Sequence, residues 1–293
     1  MPNIVIGAHV SSSGGIFKAI ERGEAIEAEA IQIFPSAPQM WRQTNHKPEA
    51  IAKFRELHAE STIGPVWLHN IYLANLAADN TEHLGKSIGA VVHALTVADS
   101  IGADGVVLHT GSHKGAGMDA VVDQVSETLT LILDEAPGNA ILALENTAGQ
   151  GGAIGKDFAE LGMLLKRVDS PRLQVCLDTC HTLAGGYDIT NPAGVNATMS
   201  EFDGEIGLDK LAVLHANDSK TKLGGRRDRH ENIGEGFVGI AGFETMLAHP
   251  AFDGKVLLLE VPGFPGEDGT KAEGPDLENV HRLKRIRDAM PVS

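Results

Sequence analysis

Short apolar runs alternate along the chain with longer stretches of helical pattern. The runs are continuous rather than alternating, as expected for parallel strands that are buried on both faces. They predict eight strands: Ile4–His9, Ala30–Phe34, Pro65–His69, Gly105–His109, Ala140–Glu145, Leu173–Asp178, Leu211–His215 and Lys255–Glu260. The other stretches predict eight helices: Gly15–Glu24, Pro48–Glu60, Thr81–Gly102, Met118–Ala136, Lys156–Val168, Thr198–Leu208, Ile240–Ala248 and Asp276–Met290.

Eight strands that are each followed by a helix are typical of a (β/α)₈ TIM barrel, an α/β fold. No linker, low-complexity tract or charge block divides the 293 residues, so the sequence predicts a single domain over 1–293. A doubly wound open sheet is the structural alternative. It is disfavoured because no Gly-x-Gly-x-x-Gly turn follows the first strand.

The last residues of the predicted strands carry the first sign of chemistry. In a barrel these positions share the C-terminal rim, where active sites are built. They are His9, Phe34, His69, His109, Glu145, Asp178, His215 and Glu260. One such residue is readily explained as a hydrogen-bonded rim side chain. Seven imidazoles and carboxylates crowded together without a counter-ion would be strongly unfavourable, so the pattern predicts a metal site.

Two further segments add ligand candidates. His181 follows Asp178 by three residues, which places both on one side of a turn. Asp228 and His230 lie two apart in a glycine-rich, charged loop. With His9 interpreted as a residue of the pocket floor, the predicted metal ligands are His69, His109, Glu145, Asp178, His181, His215, Asp228, His230 and Glu260.

Nine ligands with bridging carboxylates suit three metal ions rather than one, at three or four ligands each. The share of imidazoles favours zinc over magnesium, with manganese or iron as substitutes. Four carboxylates and three divalent ions leave the cluster near +2, which suits an anionic substrate. Closely spaced metals assist phosphoryl displacement, so these residues predict a metal-dependent phosphoester hydrolase.

Charge and cysteine content narrow the class of protein. A formal net charge of −15 argues against a general nucleic-acid binder, although bound cations would reverse the local sign. Five of the ten residues 220–229 are nevertheless basic, and their position beside the site suggests contacts with a phosphate backbone. Two cysteines and no signal-peptide pattern predict a cytoplasmic protein, and no apolar run is long enough for a membrane span.

Several motifs make the chain resemble the endonuclease IV family, the zinc-dependent apurinic/apyrimidinic endonucleases, nearly from end to end. The most specific are Cys176-Leu-Asp-Thr-Cys-His181, Gly186-Tyr-Asp188 and Asp228-Arg-His-Glu-Asn-Ile-Gly-Glu-Gly236. Weaker matches are Gly7-Ala-His-Val10, Tyr72-Leu-Ala-Asn-Leu76, His109-Thr-Gly-Ser-His113, Glu145-Asn-Thr-Ala-Gly149 and His215-Ala-Asn-Asp-Ser-Lys220.

The resemblance implies a TIM barrel with a trinuclear zinc cluster. His69, His109 and Glu145 would hold one ion. Glu145 would bridge to a second ion that is completed by Asp178, His215 and Glu260. The third would take His181, Asp228 and His230.

The same resemblance implies a substrate and a reaction. Double-stranded DNA with an abasic site would be cut on its 5′ side to leave a 3′-hydroxyl and a 5′-deoxyribose phosphate, and blocked 3′ ends would be trimmed. A metal-bridging hydroxide would attack phosphorus, with Glu145 as the catalytic residue that orients it. We expect a monomer with no membrane partner.

One departure from the family affects the expected DNA contacts. Gln39 stands where the family usually has an arginine, two residues before Trp41. Losing a guanidinium removes a stacking plane and a phosphate-pairing charge, which predicts weaker binding to DNA or altered penetration of the base stack, without loss of the chemistry. The full set of predicted DNA contacts is Gln39, Tyr72, Asn75, Lys220, Arg227 and Arg229.

Two alternative functions belong to different classes. A xylose-isomerase-like sugar isomerase or epimerase uses a similar barrel with divalent metal at the same rim. It usually needs fewer ligands, mostly carboxylates, and has no use for the basic loop. A metal-storing or DNA-scaffolding barrel would be expected to lack a ligand among the nine, and none is missing.

Overall fold

A closed parallel barrel forms the centre of the molecule. The computed structural model describes residues 3–266, 270 and 272–290, so residues 1–2, 267–269, 271 and 291–293 of the predicted single domain lie outside the described part. Its barrel strands are β1 Val5–His9, β2 Ile31–Ile33, β3 Val66–His69, β4 Gly105–Leu108, β5 Ile141–Glu145, β6 Leu173–Asp178, β7 Leu211–His215 and β10 Val256–Leu259. Each strand pairs in parallel with its neighbours in chain order, and β10 pairs with β1 to close the ring. The prediction of a (β/α)₈ barrel is confirmed.

Helices surround the barrel over the part of the chain that the structure describes. They are α1 Lys18–Ala25, α2 Pro48–Glu60, α3 Thr81–Ile101, α4 Val122–Glu135, α5 Phe158–Val168, α6 Thr179–Gly185, α7 Pro192–Glu205, α8 Gly239–Leu247 and α9 Leu277–Asp288. No helix among the described residues is long and apolar enough to cross a membrane.

The segment between β6 and β7 differs from its prediction. One helix over Thr198–Leu208 was expected, but α6 follows β6 directly and α7 begins at Pro192. The Asp178 side chain caps α6 by accepting from the His181 amide at 2.8 Å. Asn191 caps α7 by accepting from the Gly194 amide at 3.0 Å, and Pro192 suits the first turn of a helix. The amphipathic pattern alone located only the second half of α7.

Alternation along the strands determines which side chains point into the barrel. A layer of apolar residues fills its interior: Ala30, Trp67, Val107, Ala143, Cys176, Val213 and Leu258. Because side chains alternate with a period of two, the residue two positions further along each strand faces inward one layer higher. Those residues are Gln32, His69, His109, Glu145, Asp178, His215 and Glu260.

The second strand ends earlier than its sequence predicts. β2 ends at Ile33, so Phe34 is not its terminal residue. The Phe34 ring instead packs 4.4 Å from the His9 ring, measured between ring centroids. The polar residue that β2 contributes to the inner layer is Gln32, which is fully buried.

A short hairpin carries the loop that was predicted to hold Asp228 and His230. Its strands, β8 Asp218–Ser219 and β9 His230–Glu231, pair in antiparallel register and were not predicted. The buried Asp218 carboxylate accepts hydrogen bonds from the amides of Gly234, Gly236 and Val238 at 2.9–3.0 Å. These bonds fold the segment after β9 back onto the hairpin.

Asp218→Ala should destabilise the protein by at least about 3 kcal/mol, because several buried amides lose a charged acceptor at once. Urea unfolding of metal-free protein would measure the change. Asp134→Ala is the matched control, since Asp134 lies exposed on α4 and should cost within about 0.5 kcal/mol. Equal unfolding free energies for the two variants would contradict the anchoring role of Asp218.

Candidate metal centre

Imidazole nitrogens and carboxylate oxygens meet at short distances above the apolar layer. His69 Nε2 and His109 Nε2 each lie 3.2 Å from Oε2 of Glu145. His215 Nδ1 lies 3.0 Å from the other oxygen of Glu145 and 3.3 Å from Glu260 Oε2. Glu145, with no exposed surface, therefore lies at the centre of the group.

The second half of the site is built by α6 and the hairpin. His181 Nε2 lies 3.3 Å from one Asp228 oxygen, and His230 Nε2 lies 3.2 Å from the other. Asp178 connects the halves, because its Oδ2 is 3.8 Å from His215 Nδ1 and 3.6 Å from His230 Nε2. All nine residues predicted as metal ligands are thus brought together, and their roles as ligands remain predictions.

The outer ring nitrogens show which nitrogen carries the proton. Nδ1 of His69, His181 and His230 faces the backbone carbonyls of Asn70, Asn146 and Glu260, respectively, at 2.7–3.2 Å. A carbonyl oxygen only accepts, so each outer nitrogen donates. In the neutral ring the inner nitrogen then presents a lone pair.

Lone pairs of imidazole and carboxylate facing one another require a cation between them. His181 Nε2 and His230 Nε2 are buried without a hydrogen-bond partner, even though Asp228 oxygens lie nearby. The separation of 3.2–3.3 Å is that expected of two ligand atoms bound at ~2.0–2.1 Å to one tetrahedral zinc ion. The residues present therefore fit a divalent metal.

The same crowding changes the pKa values of the cluster. Burial would raise the pKa of Glu145, but His109, His215 and His181 together hold it well below its usual value. Burial would lower the pKa of His181, but Asp178, Asp228 and Glu145 hold it well above. Burial is likewise overcome at His230, where chiefly Asp228 raises the pKa to about 9. At His109 burial has the larger effect, and the pKa of this imidazole is lowered.

Two asparagines that the sequence analysis did not single out hold these ligands in place. Asn146 accepts from the amide of Asp178 at 2.7 Å, in addition to orienting His181 through its carbonyl. Asn217 donates to Asp178 Oδ2 at 2.7 Å and accepts from the amide of Glu260 at 2.7 Å. Both residues lie in the sequence motifs described above, directly after Glu145 and two residues after His215, and those positions were the available signal.

The two cysteines are free and buried. Cys180 Sγ nevertheless lies within 4.8 Å of ligand atoms of Asp228 and His230. Burial raises the pKa of its thiol to about 12, so Cys180 is a neutral neighbour of the ligands at neutral pH.

Comparisons with known proteins place this geometry in a family. Residues 20–284 match a family model described as a xylose isomerase-like TIM barrel. A probable endonuclease 4 from Halothermothrix orenii is 36% identical over 281 residues, covering 96% of this chain and 99% of that protein. Another from Halorhodospira halophila is 39% identical over 263 residues, covering 89% of each.

The chain belongs to the endonuclease IV family.

Similarity to solved structures agrees with this membership. Endonuclease IV from Thermus thermophilus superposes with a TM-score of 0.85 at 31% identity, covering 98% of this chain and all of that one. A D-tagatose 3-epimerase-like protein reaches a TM-score of 0.70 at 19% identity, over 97% and 96% of the two chains, which shows a shared fold alone. The prediction of an endonuclease IV enzyme with a TIM-barrel fold is confirmed.

The basic residues predicted to contact DNA lie on the hairpin loop that also supplies Asp228. Lys220, Arg227 and Arg229 are exposed, although Lys220 Nζ lies 3.7 Å from Glu231. The loop is tied to α6, because the amides of Gly224 and Arg226 donate to the carbonyls of Leu183 and Ala184 at 3.0 and 2.9 Å. The loop cations and the predicted ligands Asp228 and His230 are therefore held by the same backbone segment.

The remaining predicted DNA contacts lie on the loops after β2 and β3. Gln39 is exposed, and Tyr72, 53% exposed, stands with its ring 5.5 Å from that of His69. The Tyr72 amide donates to the Pro38 carbonyl at 3.1 Å, which joins the two loops. Asn75 differs from the others because its amide is buried and bonds the backbone of Ser112. It holds one loop against the next, and its contact with DNA stays a prediction.

An open cleft of about 810 Å³ lies beside the ligands. Its lining includes His9, Tyr72 and Glu260, together with the loop segments 10–16 and 35–38.

Metal-free protein should lose thermal stability as pH rises from about 6.5 to about 9. Four imidazoles, of His69, His181, His215 and His230, have pKa values in the folded state above 6.5. Their stabilising contribution is complete below the unfolded pKa of about 6.5 and is lost as pH rises through the folded values. The thermal stability of metal-loaded protein should stay constant over this pH interval, because bound cations replace the protons. Melting temperatures measured across this pH range, with chelator and with zinc, would test both expectations. A melting temperature of the chelated protein that stays constant or rises with pH would contradict the prediction.

Proposed function

We propose that this protein is a DNA-repair endonuclease that hydrolyses the phosphodiester bond 5′ to an abasic site in double-stranded DNA. The proposal rests chiefly on one observation: nine ligand-type side chains converge at metal-binding separations around a buried glutamate. Membership of the endonuclease IV family supports it. Removal of blocked 3′ ends, a monomeric state and a cytoplasmic location belong to the same proposal.

Three zinc ions are proposed as the cofactors. His69, His109 and Glu145 would hold one, and Glu145, Asp178, His215 and Glu260 a second. His181, Asp228 and His230 would hold the third. When bound, the ions would activate water and neutralise charge on the phosphate. The supporting observation is that every one of these residues has a partner of its own group within 3.3 Å, except Asp178, whose Oδ2 lies 3.8 Å from His215 Nδ1.

The protein's own residues would bind and position the substrate. Lys220, Arg227 and Arg229 would pair with backbone phosphates and offset the repulsion expected from a net charge of −15. The loops joined through Tyr72 and Pro38 would meet the duplex beside the cleft. Glu145 would act as the catalytic residue, because both of its oxygens face the imidazoles at the centre of the site.

Metal-dependent incision should be seen on a labelled duplex that carries one reduced abasic sugar, which cannot undergo β-elimination. A single nick 5′ to this analogue should disappear after strong chelation and return with zinc. A second duplex that ends in a 3′-phosphate would test the trimming activity. Glu145→Gln should lower the incision rate at least about 100-fold, while Glu127→Gln, on an exposed position of α4, should leave it unchanged.

Other outcomes of this assay would support different functions. Tight binding without a nick would contradict an endonuclease and support the scaffolding alternative. Neither binding nor cutting, in protein shown to hold metal, would support a sugar isomerase, whose barrel this chain shares. Near-normal incision by Glu145→Gln would contradict the role assigned to that carboxylate.

Gln39→Arg should tighten binding to the abasic duplex by about three- to tenfold at low salt, because a guanidinium adds a phosphate contact. The salt dependence of the dissociation constant should steepen by about one counter-ion. Gln174→Arg is the matched control, since Gln174 lies near the start of β6, at the opposite end of the barrel. An equal change in both variants would show a general charge effect and contradict a specific contact at Gln39.

A further inference from the structure

Gln32 occupies a position in the barrel that is otherwise reserved for ligand-type residues. It lies two residues after Ala30 of the apolar layer and is fully buried. The corresponding inward positions of the other strands carry His9, His69, His109, Glu145, Asp178, His215 and Glu260. A primary amide is the only side chain of these eight that is neither an imidazole nor a carboxylate.

The nitrogen and the oxygen of the Gln32 amide both form hydrogen bonds with neighbouring side chains. Its Nε2 donates to Glu260 Oε1 at 2.7 Å and lies 3.0 Å from His9 Nδ1. Its Oε1 lies 2.9 Å from His215 Nε2. The carboxylate of Glu260 only accepts, so the amide nitrogen must face it and the amide oxygen must face His215.

This orientation determines the proton position on His215. The amide oxygen can only accept, so His215 Nε2 carries a proton, and the neutral ring presents its lone pair at Nδ1. That nitrogen faces Glu145 Oε1 at 3.0 Å and Glu260 Oε2 at 3.3 Å. The amide nitrogen meanwhile holds Glu260 Oε1, which leaves Oε2 turned toward His215.

His215 differs in this respect from the other histidines of the centre. His69, His109, His181 and His230 all turn Nε2 inward, and for three of them a backbone carbonyl binds Nδ1. His181 Nδ1 also lies 3.2 Å from Glu145 Oε1, but it faces the Asn146 carbonyl at 3.0 Å as well. Among these five residues, only His215 turns Nε2 away from the carboxylates, so that Nδ1 alone faces them. The partner of its outer nitrogen is a side chain, and that side chain is Gln32.

We propose that Gln32 is a positioning residue for one metal of the cluster. It holds His215 in the tautomer that binds through Nδ1, and it directs Glu260 Oε2 to the same ion. The affected site is the group Glu145, Asp178, His215 and Glu260, whose ligand atoms lie within 4.8 Å of one another. The inference rests on the metal centre of the proposed function and is independent of the DNA substrate.

Gln32→Met tests this role, because methionine keeps the length and volume of the side chain and removes both hydrogen bonds. We expect the metal ion of this site to lose about 10- to 100-fold in affinity, so that the variant retains one ion fewer than the wild type at the same free zinc concentration. Metal content after equilibration with graded chelator would be measured. Gln124→Met is the matched control, since Gln124 bonds the carbonyls of Leu76 and Ala78 instead.

The outcomes separate this inference from the proposed function. Wild-type protein that binds no metal would overturn the metal centre itself. Wild-type and Gln32→Met proteins with equal metal content and affinity would overturn only the role of Gln32. Melting temperatures in excess chelator should fall equally in Gln32→Met and Gln124→Met; a larger loss for Gln32→Met, with unchanged metal affinity, would show a merely structural role.

A second measurement uses the wild-type protein alone and so does not depend on the folding of a variant. Long-range proton–nitrogen NMR spectra of zinc-loaded protein distinguish protonated from metal-bound ring nitrogens. We expect one metal-bound histidine to carry its proton on Nε2 and the other four to carry it on Nδ1. Five metal-bound rings protonated on Nδ1 would overturn the proposal.

Discussion

The rest of the site depends on one electrostatic constraint: lone pairs of imidazole nitrogens and carboxylate oxygens face one another inside a buried space. Glu145 has no exposed surface, yet four histidines direct a nitrogen at its two oxygens within 3.2 Å. Such a group of polar atoms is unstable unless positive charge lies between its members. Protons can supply that charge, as the raised pKa values of His181 and His215 show. Divalent ions supply more of it, which is why the cluster is best understood as a metal centre.

A second set of polar residues makes this arrangement rigid. Asn146 accepts from the backbone amide of Asp178, and Asn217 donates to its carboxylate. Asp218 accepts hydrogen bonds from backbone amides of the segment after the hairpin. Fixing ligands before the metal binds lowers the entropy that binding must overcome. The framework also explains how a two-stranded hairpin, which would be marginal alone, can present His230 accurately.

The strongly acidic composition does not conflict with a nucleic-acid substrate once charge is considered locally. The net charge of −15 describes the whole protein, whereas in the proposed function an anionic backbone would meet only the metal centre and the exposed cations of residues 220–229. Carboxylates that are bound to metal no longer repel phosphate. The segments that follow the barrel strands carry the cations and three of the predicted ligands, and the ends of the strands carry the other six, as is usual for active sites of TIM-barrel enzymes.

Much of this protein could be predicted from local pattern. Continuous apolar runs identified all eight barrel strands, since burial on both faces leaves a mark in the sequence itself. The ligands at strand ends followed from the same pattern, because the carboxyl ends of parallel strands share one rim. The positions of α6 and of the hairpin were not predicted, since short elements capped by single side chains leave little periodic signal.

Gln32 shows most clearly what only the tertiary structure decided. In the sequence it is one polar residue within an apolar run. The predicted strand ends at Phe34, so the pattern placed Phe34 and not Gln32 at the rim. Its partners His215 and Glu260 lie 183 and 228 residues away along the chain. The sequence by itself determined the barrel and the identity of the ligand-type residues. Which nitrogen each histidine turns inward depends on contacts between distant strands, and only closure of the barrel brings those strands together.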